Sequence, residues 1–416
     1  MRLSVLTLSG RELASLDAAD AWTKSDICPL IPELEGPVLR ASRFWYNGVE
    51  LTDSTTLQAL GIEDGACLQV VVDKSAIELV VTGSSDHTAR IWHVQSGECI
   101  RTLAGHGERV MSAVFSPDGT RVLTASFDAT AKLWCAASGD CICTMQGHDA
   151  WVYTARFSPD ATLLVTAGDD GTAKVWSAEA GACLRTLQGH EVAVCFAVFS
   201  PDGAMVLTTS LDGTAKLWNP STGECLCTLC KHDSFVCSAV FSGDGALVLT
   251  ASWDHTAKLW NADSGDCLST LEGHGEHEVR CVAFSPDGTL ALTTADDRIA
   301  KLWSVESGEC ARTLRGHGNA VYTAAFSPDG ALVLTGSDDR TAKLWSAGTG
   351  ECLRTLLGHS SMVRSVMFSP DGASLLTASW DRTAKVWSAE SGDCVRTLRG
   401  HRDLIACASF SPPLLG

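Results

Sequence analysis

From about residue 77 onward, apolar and polar positions alternate in short runs, and the whole pattern returns every 42 residues, once after 43. Each unit, as in residues 359–401, reads the same way. A His is followed by an alternating run ending Phe-Ser, a Pro-Asp-Gly turn, a second apolar run and a Ser-x-Asp turn. A run closing on Trp, a Ser-Gly-Asp-Cys turn and a last short run complete it. Period-two alternation between turn-forming residues predicts strands, so each unit is a four-stranded antiparallel meander. The tryptophans mark the period at 92, 134, 176, 218, 260, 303, 345 and 387, and the histidines at 106, 148, 190, 232, 274, 317, 359 and 401.

One such sheet cannot bury both faces alone, whereas radial stacking of many does so. The units resemble WD40 repeats, and residues 77–411 are similar to a WD40 β-propeller. One departure is that none of the eight tryptophans is followed by Asp. Seven full meanders run from Val110 to about Leu398, leaving three strands before them and one after. The sums close if strand 404–411 completes the first sheet, which predicts eight blades; seven blades with frayed ends is the alternative. The polar residues count the same way. His106 can reach Asp128 of its own blade, as can His148 Asp170, His190 Asp212, His232 Asp254, His274 Asp297, His317 Asp339 and His359 Asp381. Asp86 has no preceding His and His401 no following Asp, so ring closure pairs them. The resemblance implies a buried network of His, a Ser or Thr, Asp and Trp. Ser84, Ser126, Ser210, Ser252, Ser337 and Ser379 stand at the hydroxyl position, and Gly168 and Ala295 break the network in two blades. Eight copies of His, Asp and Ser make a structural device, not a catalytic triad.

The first 73 residues carry no 42-residue repeat. A hairpin pattern (Met1 to Leu13), the Arg43-Phe44-Trp45-Tyr46-Asn47-Gly48 strand and turn, and a last strand from Cys67 to Val72 resemble a ubiquitin-like β-grasp domain, a small α+β fold. The resemblance implies a helix near 22–35, where Pro29 and Pro32 stand; proline in a helix interior costs about 3 kcal/mol. Ubiquitins that are conjugated end in Gly-Gly, but here the chain runs on through Asp73-Lys74-Ser75, so the resemblance implies an integral fusion. The family's apolar binding patch falls on Leu8, Trp45 and Val71, with packing of Trp45 into a core or onto the propeller as the alternative.

Composition narrows the function. The chain has 416 residues, is 45% hydrophobic and carries a net charge of −18. No apolar stretch is long enough to span a bilayer, and a basic start before a long apolar core is absent, so neither a membrane partner nor a signal peptide is expected. The acidic balance disfavours nucleic acid. The recurring Lys of the Trp run alternates with buried positions and is expected to be a solvated stripe. Eight repeat-phased cysteines (99, 141, 183, 225, 267, 310, 352 and 394) lie too far apart for disulfides and are expected to be small buried residues in a reducing compartment. Cys227, Cys230 and His232 come nearest to a metal set but lack its spacing, so no metal and no cofactor is expected.

The two propeller faces differ. One bears the Pro-Asp-Gly turns and is monotonous. On the other, with the His loops and Ser-x-Asp turns, the units stop copying one another. WD40 propellers are similar in gripping peptides there, and Phe127, Trp151, Tyr153, Phe235, Trp253, Tyr322, Arg364 and Trp380 are the candidate binding residues, being the types that dominate binding hot spots. Packing of single members against neighbouring blades is the alternative. The expected function is a non-enzymatic scaffold, monomeric within larger complexes and cytoplasmic, with the nucleus as second compartment. The propeller would bind a protein or peptide, and the N-terminal domain a second partner, which the ubiquitin-like resemblance implies to belong to the ubiquitin–proteasome system. The alternative is a ribosome-assembly factor resembling Notchless-like proteins, in which Glu12, Glu50 or Glu63 would meet a metal of a large ATPase. A recently expanded repeat with no fixed partner is a further reading.

Overall fold

The computed structural model describes residues 2–7, 12–17, 22, 27, 42–46, 49–51, 57, 67–72 and 78–412. The chain divides into two compact units, Met1–Glu78 with Pro413–Gly416, and Leu79–Pro412.

In the first unit, β1 (Arg2–Thr7), β2 (Glu12–Asp17), β3 (Ser42–Tyr46), β4 (Val49–Leu51) and β5 (Cys67–Val72) form one sheet in the order β2-β1-β5-β3-β4. Only the β1–β5 pair is parallel; the others are antiparallel. Val5, Phe44, Leu51 and Leu68 from the strands, with Ile27 and Leu57, are fully buried. The expected helix around Pro29 and Pro32, Leu8 and Glu63 lie outside the described residues. So do the side chains of Glu12, Trp45, Glu50 and Val71.

The second unit consists of eight four-stranded antiparallel sheets, the blades of a propeller. Blade 2 shows the plan: Val110–Phe115 innermost, then Arg121–Ser126, Thr130–Cys135 and Cys141–Gln146 outermost. The later blades follow in chain order to blade 8, which ends with Cys394–Arg399. Blade 1 is built from both ends of the unit. Ile405–Phe410 pairs with Leu79–Ser84, followed outward by Thr88–His93 and Cys99–Ala104. The ring therefore has eight members and is closed, not the seven of the alternative. Second strands are buried along almost their whole length, as in Val122 to Ser126, because both faces meet a neighbouring blade. Each of the eight repeat-phased tryptophans is at most 3% exposed and packs between two blades.

Two burial expectations are corrected. The repeat-phased cysteines are exposed, apart from half-buried Cys267. They begin the outermost strand, next to a register shift such as that between Leu133 and Trp134, and no further layer covers them. The lysine stripe is half-buried or buried rather than fully solvated, with Lys258, Lys301 and Lys385 under 10% exposed. Its ammonium groups are held by a threonine of the outermost strand, as Lys132 Nζ is by Thr144 Oγ1 at 2.9 Å; the aliphatic stem lies between strands while the head finds an acceptor.

Candidate protein-binding face

The face carrying the His loops is fixed by one polar relay per blade. In blade 2, Trp134 Nε1 donates to Thr124 Oγ1 at 2.9 Å. The same hydroxyl lies 2.7 Å from His106 Nε2, and His106 Nδ1 lies 2.8 Å from Asp128 Oδ2. The Thr124 hydroxyl has two acceptors in reach, His106 Nε2 at 2.7 Å and the Lys132 carbonyl at 3.3 Å; the shorter contact favours the tautomer with its proton on Nδ1, so that Trp donates to Thr, Thr to His and His to Asp. The relay recurs in every blade. His148–Asp170, His190–Asp212, His232–Asp254, His274–Asp297, His317–Asp339 and His359–Asp381 lie 2.6–2.8 Å apart. His401 and Asp86 lie 2.9 Å apart across the ring closure.

The hydroxyl in this relay is threonine, not the serine expected two residues later. Thr82, Thr124, Thr166, Thr208, Thr250, Thr293, Thr335 and Thr377 are all fully buried. Gly168 and Ala295 therefore do not interrupt it: His148 and His274 Nε2 each lie 2.7 Å from Thr166 and Thr293. The serines do another task. Ser126 Oγ donates to the Glu108 carbonyl of the His loop and accepts from the Asp128 amide, both at 3.1 Å.

Burial opposes ionisation of Asp128, but hydrogen bonds from His106, Thr130 and the Gly107 amide outweigh it and hold the carboxyl far below the usual range. Asp86, Asp254, Asp339 and Asp381 are held down in the same way. Burial lowers the pKa of His148 and His190 against the pull of Asp170 and Asp212, consistent with neutral rings. A charge-assisted bond of this kind is worth about 1.5–3 kcal/mol, so the loops that carry the variable residues sit on rigid supports.

On those supports the candidate residues form two clusters and one outlier. Phe127 of blade 2 stacks on Trp151 of blade 3 at 4.4 Å between centroids and 12° between planes, and meets Tyr153 edge-on at 5.8 Å. The Tyr153 hydroxyl donates to Asp169 at 2.7 Å; burial, then Asp169, raises its pKa. The second cluster alternates rings and guanidiniums. Phe235 lies 5.1 Å from Trp253, Arg280 sits 4.8 Å over Trp253 and 5.6 Å from Tyr322, and Arg364 sits 5.8 Å from Tyr322. Arg280, absent from the candidates read from sequence, holds this row together, and a hydrogen bond to Asp296 raises its pKa. The signal for it was its place, second in the inner strand, where Tyr153, Tyr322 and Arg364 also stand. Trp380 of blade 8 has no aromatic neighbour among the described residues. Trp151, Phe235 and Trp380 are 49%, 37% and 41% exposed, whereas Phe127, Tyr153, Trp253 and Tyr322 are half-buried. Among the described residues no cluster of three or more His, Cys, Asp or Glu could hold a metal ion, Cys227, Cys230 and His232 included. No described helix is long and apolar enough to cross a membrane.

Comparison with known proteins agrees with this architecture. A computationally designed protein, Ika8, superposes with a TM-score of 0.68 and 30% identity over 74% of this chain and 93% of its own. Local stretches resemble three curated proteins. Nuclear distribution protein PAC1 of Mycosarcoma maydis is 48% identical over 46 residues, 11% of this chain and 10% of its own length. F-box-like/WD repeat-containing protein TBL1X of Mus musculus is 49% identical over 41 residues, 10% and 8% of the two chains. Coatomer subunit beta'-2 of Arabidopsis thaliana is 44% identical over 39 residues, 9% and 4%. Each match therefore spans a small part of the relative's length. The model of the WD domain, G-beta repeat, matches residues 97–135, 139–177, 181–219, 223–261, 265–304, 308–346 and 350–388. Each matched segment runs from an outermost strand through the three inner strands of the next blade; the eighth such set is divided between the two ends of the ring. With seven matched repeats and a closed ring of blades, the chain belongs to the WD40 family.

Proposed function

We propose that this protein is a non-enzymatic interaction scaffold whose propeller binds a protein or peptide on the His-loop face. The observation that carries this reading is the exposure of Trp151, Phe235 and Trp380 on loops that are otherwise tied down by the relays. Large rings held on a rigid frame lose little freedom on binding and are favoured at hot spots. One relative is by name a subunit of coatomer, which supports a role inside an assembly. Residues 1–73 are read as a ubiquitin-like domain that recruits a second partner, and residues 77–411 as the propeller domain. The β2-β1-β5-β3-β4 order with its single parallel pair supports the first assignment. A partner from the ubiquitin–proteasome system follows from that resemblance alone. The protein is read as a cytoplasmic monomer within larger complexes.

The test is affinity purification of the wild-type chain and of the Trp151→Ala, Trp380→Ala double variant, with mass spectrometry of what is retained. The double variant should lose the propeller's partners while its Tm stays within about 2 °C, as expected for exposed side chains. Undiminished recovery would refute the assigned face. Ubiquitin-handling or proteasome subunits would support the pathway; pre-ribosomal proteins would support the assembly-factor alternative.

A further inference from the structure

Arg280 and Arg364 occupy the same place in blades 6 and 8, second in the innermost strand. Their surroundings differ in one respect. Sixteen residues after Arg280 stands Asp296, which accepts two guanidinium hydrogen bonds at 2.9 and 2.7 Å. Glu278 lies 2.6 Å from the same guanidinium. Blade 3 repeats the arrangement with Tyr153 and Asp169. The residue before the turn Asp is thus the fold's own partner for a polar side chain at the channel mouth. In blade 8 that residue is Trp380. Arg364 therefore has no carboxylate within ion-pair distance among the described residues, and Asp338 of blade 7 is engaged by Asn319 Nδ2 at 2.8 Å. Arg364 is open to solvent yet encircled by the inner strands. Burial lowers its pKa, against the pull of Cys281, Tyr322 and Cys237 and with a small push from Arg280, all on blades 5 to 7.

A second cation shares the channel. Arg156 is fifth in the inner strand of blade 3. It donates to Ser112 Oγ at 2.8 Å and to the Ala155 carbonyl at 2.9 Å, and it lies 5.7 Å from the Phe196 ring, again with no carboxylate in reach. It lines a cavity of about 860 Å³ shared with the apolar Val240, Phe284, Met367 and Pro328 and with five serines, Ser327 and Ser409 among them. Across all eight inner strands, the second and fifth places hold three arginines and no acidic residue, in a chain with 49 acidic and 31 basic side chains. Around the rim, the left-handed turn residues of blades 6 to 8 are Arg298, Arg340 and Arg382. Enclosing a charge without a counter-charge is costly. A guanidinium without a counter-charge in a low-dielectric channel attracts an anion strongly.

We propose that the axial channel, entered from the His-loop face, binds an extended polypeptide segment through its anionic side chains, Arg364 being the first anchor and Arg156 the second. The two places are three positions apart in the inner strand, and the register shift at the second place (Val152/Thr154 and Val363/Ser365) brings that to roughly 7–10 Å along the channel, within the span of anionic groups three residues apart on an extended chain. Carboxylates and phosphates share the required chemistry. The proposal rests on the reading of the propeller as a peptide-binding ring and adds what that peptide must carry.

The test uses the full chain and a fluorescein-labelled decapeptide of glycine and serine bearing two aspartates three residues apart. Companions carry two asparagines or two phosphoserines at the same places, and fluorescence anisotropy reports binding. The diacidic peptide should bind at least tenfold more tightly than the diamide, with a preference that shrinks as salt rises. Tighter binding of the phosphoserine peptide would make phosphate the source, and equal or weaker binding would make it carboxylate; each upholds the channel. Arg364→Gln and Arg156→Gln should each cost at least threefold for the diacidic peptide alone. Trp380→Asp should restore the missing internal partner and abolish the preference, whereas Trp380→Asn should weaken both peptides and keep it. Equal binding of acidic and neutral peptides, no binding of either, or identical behaviour of the two Trp380 variants would overturn the proposal. The protein-binding reading would survive any of these, because the Trp151→Ala, Trp380→Ala purification decides it independently.

Discussion

Arg396 Nε donates to the carbonyl oxygen of Gln95 at 2.6 Å, joining the last blade to the first across 301 residues of chain. It is one of five such clasps. Arg101, Arg185, Arg312 and Arg354 reach a carbonyl of the next blade's outer turn, at Ala137, Ser221, Gly348 and Glu390, each 36 residues on. Cys143, Cys227 and Ser269 take this place elsewhere and rest against Gly181, Gly265 and Gly308. The clasps are exposed, so each contributes roughly 0.5–1 kcal/mol. The Arg396 clasp differs in kind. Gln95 belongs to the early part of blade 1, which is held at the closure by the pairing of Leu79–Ser84 with Ile405–Phe410, by His401–Asp86 and by the packing of Val80, Trp92 and Val94 on blade 8. Arg396→Ala should therefore accelerate hydrogen exchange at 79–84 and lower Tm by more than Arg101→Ala does. Equal effects of the two would show that the closure is no weaker than any other seam.

The threonine relay makes a sharper prediction. Thr124→Val removes the acceptor of the Trp134 indole and the partner of His106 Nε2 inside a dry interface. Leaving those groups unsatisfied costs about 1–3 kcal/mol each, so Tm should fall by several degrees. Ser126→Ala removes only a loop tether, and blades 3 and 6 already do without it at Gly168 and Ala295. Its cost should be about 1 kcal/mol or less. Thermal unfolding of the two variants side by side decides the order; a larger loss from Ser126→Ala would contradict the relay.

This pair also marks where the sequence stops being legible. Strand order, blade count, closure and the His–Asp partners all follow from a period and its turns, because alternation determines which face a side chain occupies. Thr124 and Ser126 share one face, two residues apart, so alternation cannot choose between them. The choice is made by cross-strand register. Val122 pairs with Trp134 and Thr124 with Lys132, which puts Thr124 diagonal to the indole and Ser126 about 7 Å farther along. The His-loop face was legible as a ring of unlike residues, but not as two clusters and an outlier, since Arg280 draws Trp253 and Tyr322 together across three blades.

The cysteines divide by accessibility in a way that labelling can read. Cys99, Cys141, Cys183, Cys225, Cys310, Cys352 and Cys394 are exposed on the outermost strands. Around the channel, burial pushes the thiols of Cys195 and Cys237 up to about 12 and that of Cys407 up to about 11. Since the thiolate is the reacting form, a maleimide at neutral pH should modify the outer set rapidly in the native protein and spare the channel set until denaturant is added. Peptide mapping after a short pulse checks this; early labelling of Cys237 would place the channel wall in open solvent.

Acid should unfold the ring in two stages, and the sign follows from the relay. The folded-state pKa values of His148 and His190 lie below 6.5. Below that pH the unfolded chain takes up protons that the folded rings resist, so stability declines as pH falls. The carboxyls of Asp86, Asp128, Asp254, Asp339 and Asp381 lie below their ordinary 3.8 when folded. Their contribution is complete above the ordinary value and is lost as pH drops through it toward the folded one, giving a steeper second decline. Urea midpoints measured at pH 7.5, 5.5, 4 and 3 should fall slightly over the first interval and sharply over the last. A midpoint unchanged down to pH 3 would mean that these histidines and carboxyls do not discriminate between protonation states in the folded ring, and the neutral assignment of His148 and His190 would fall with it.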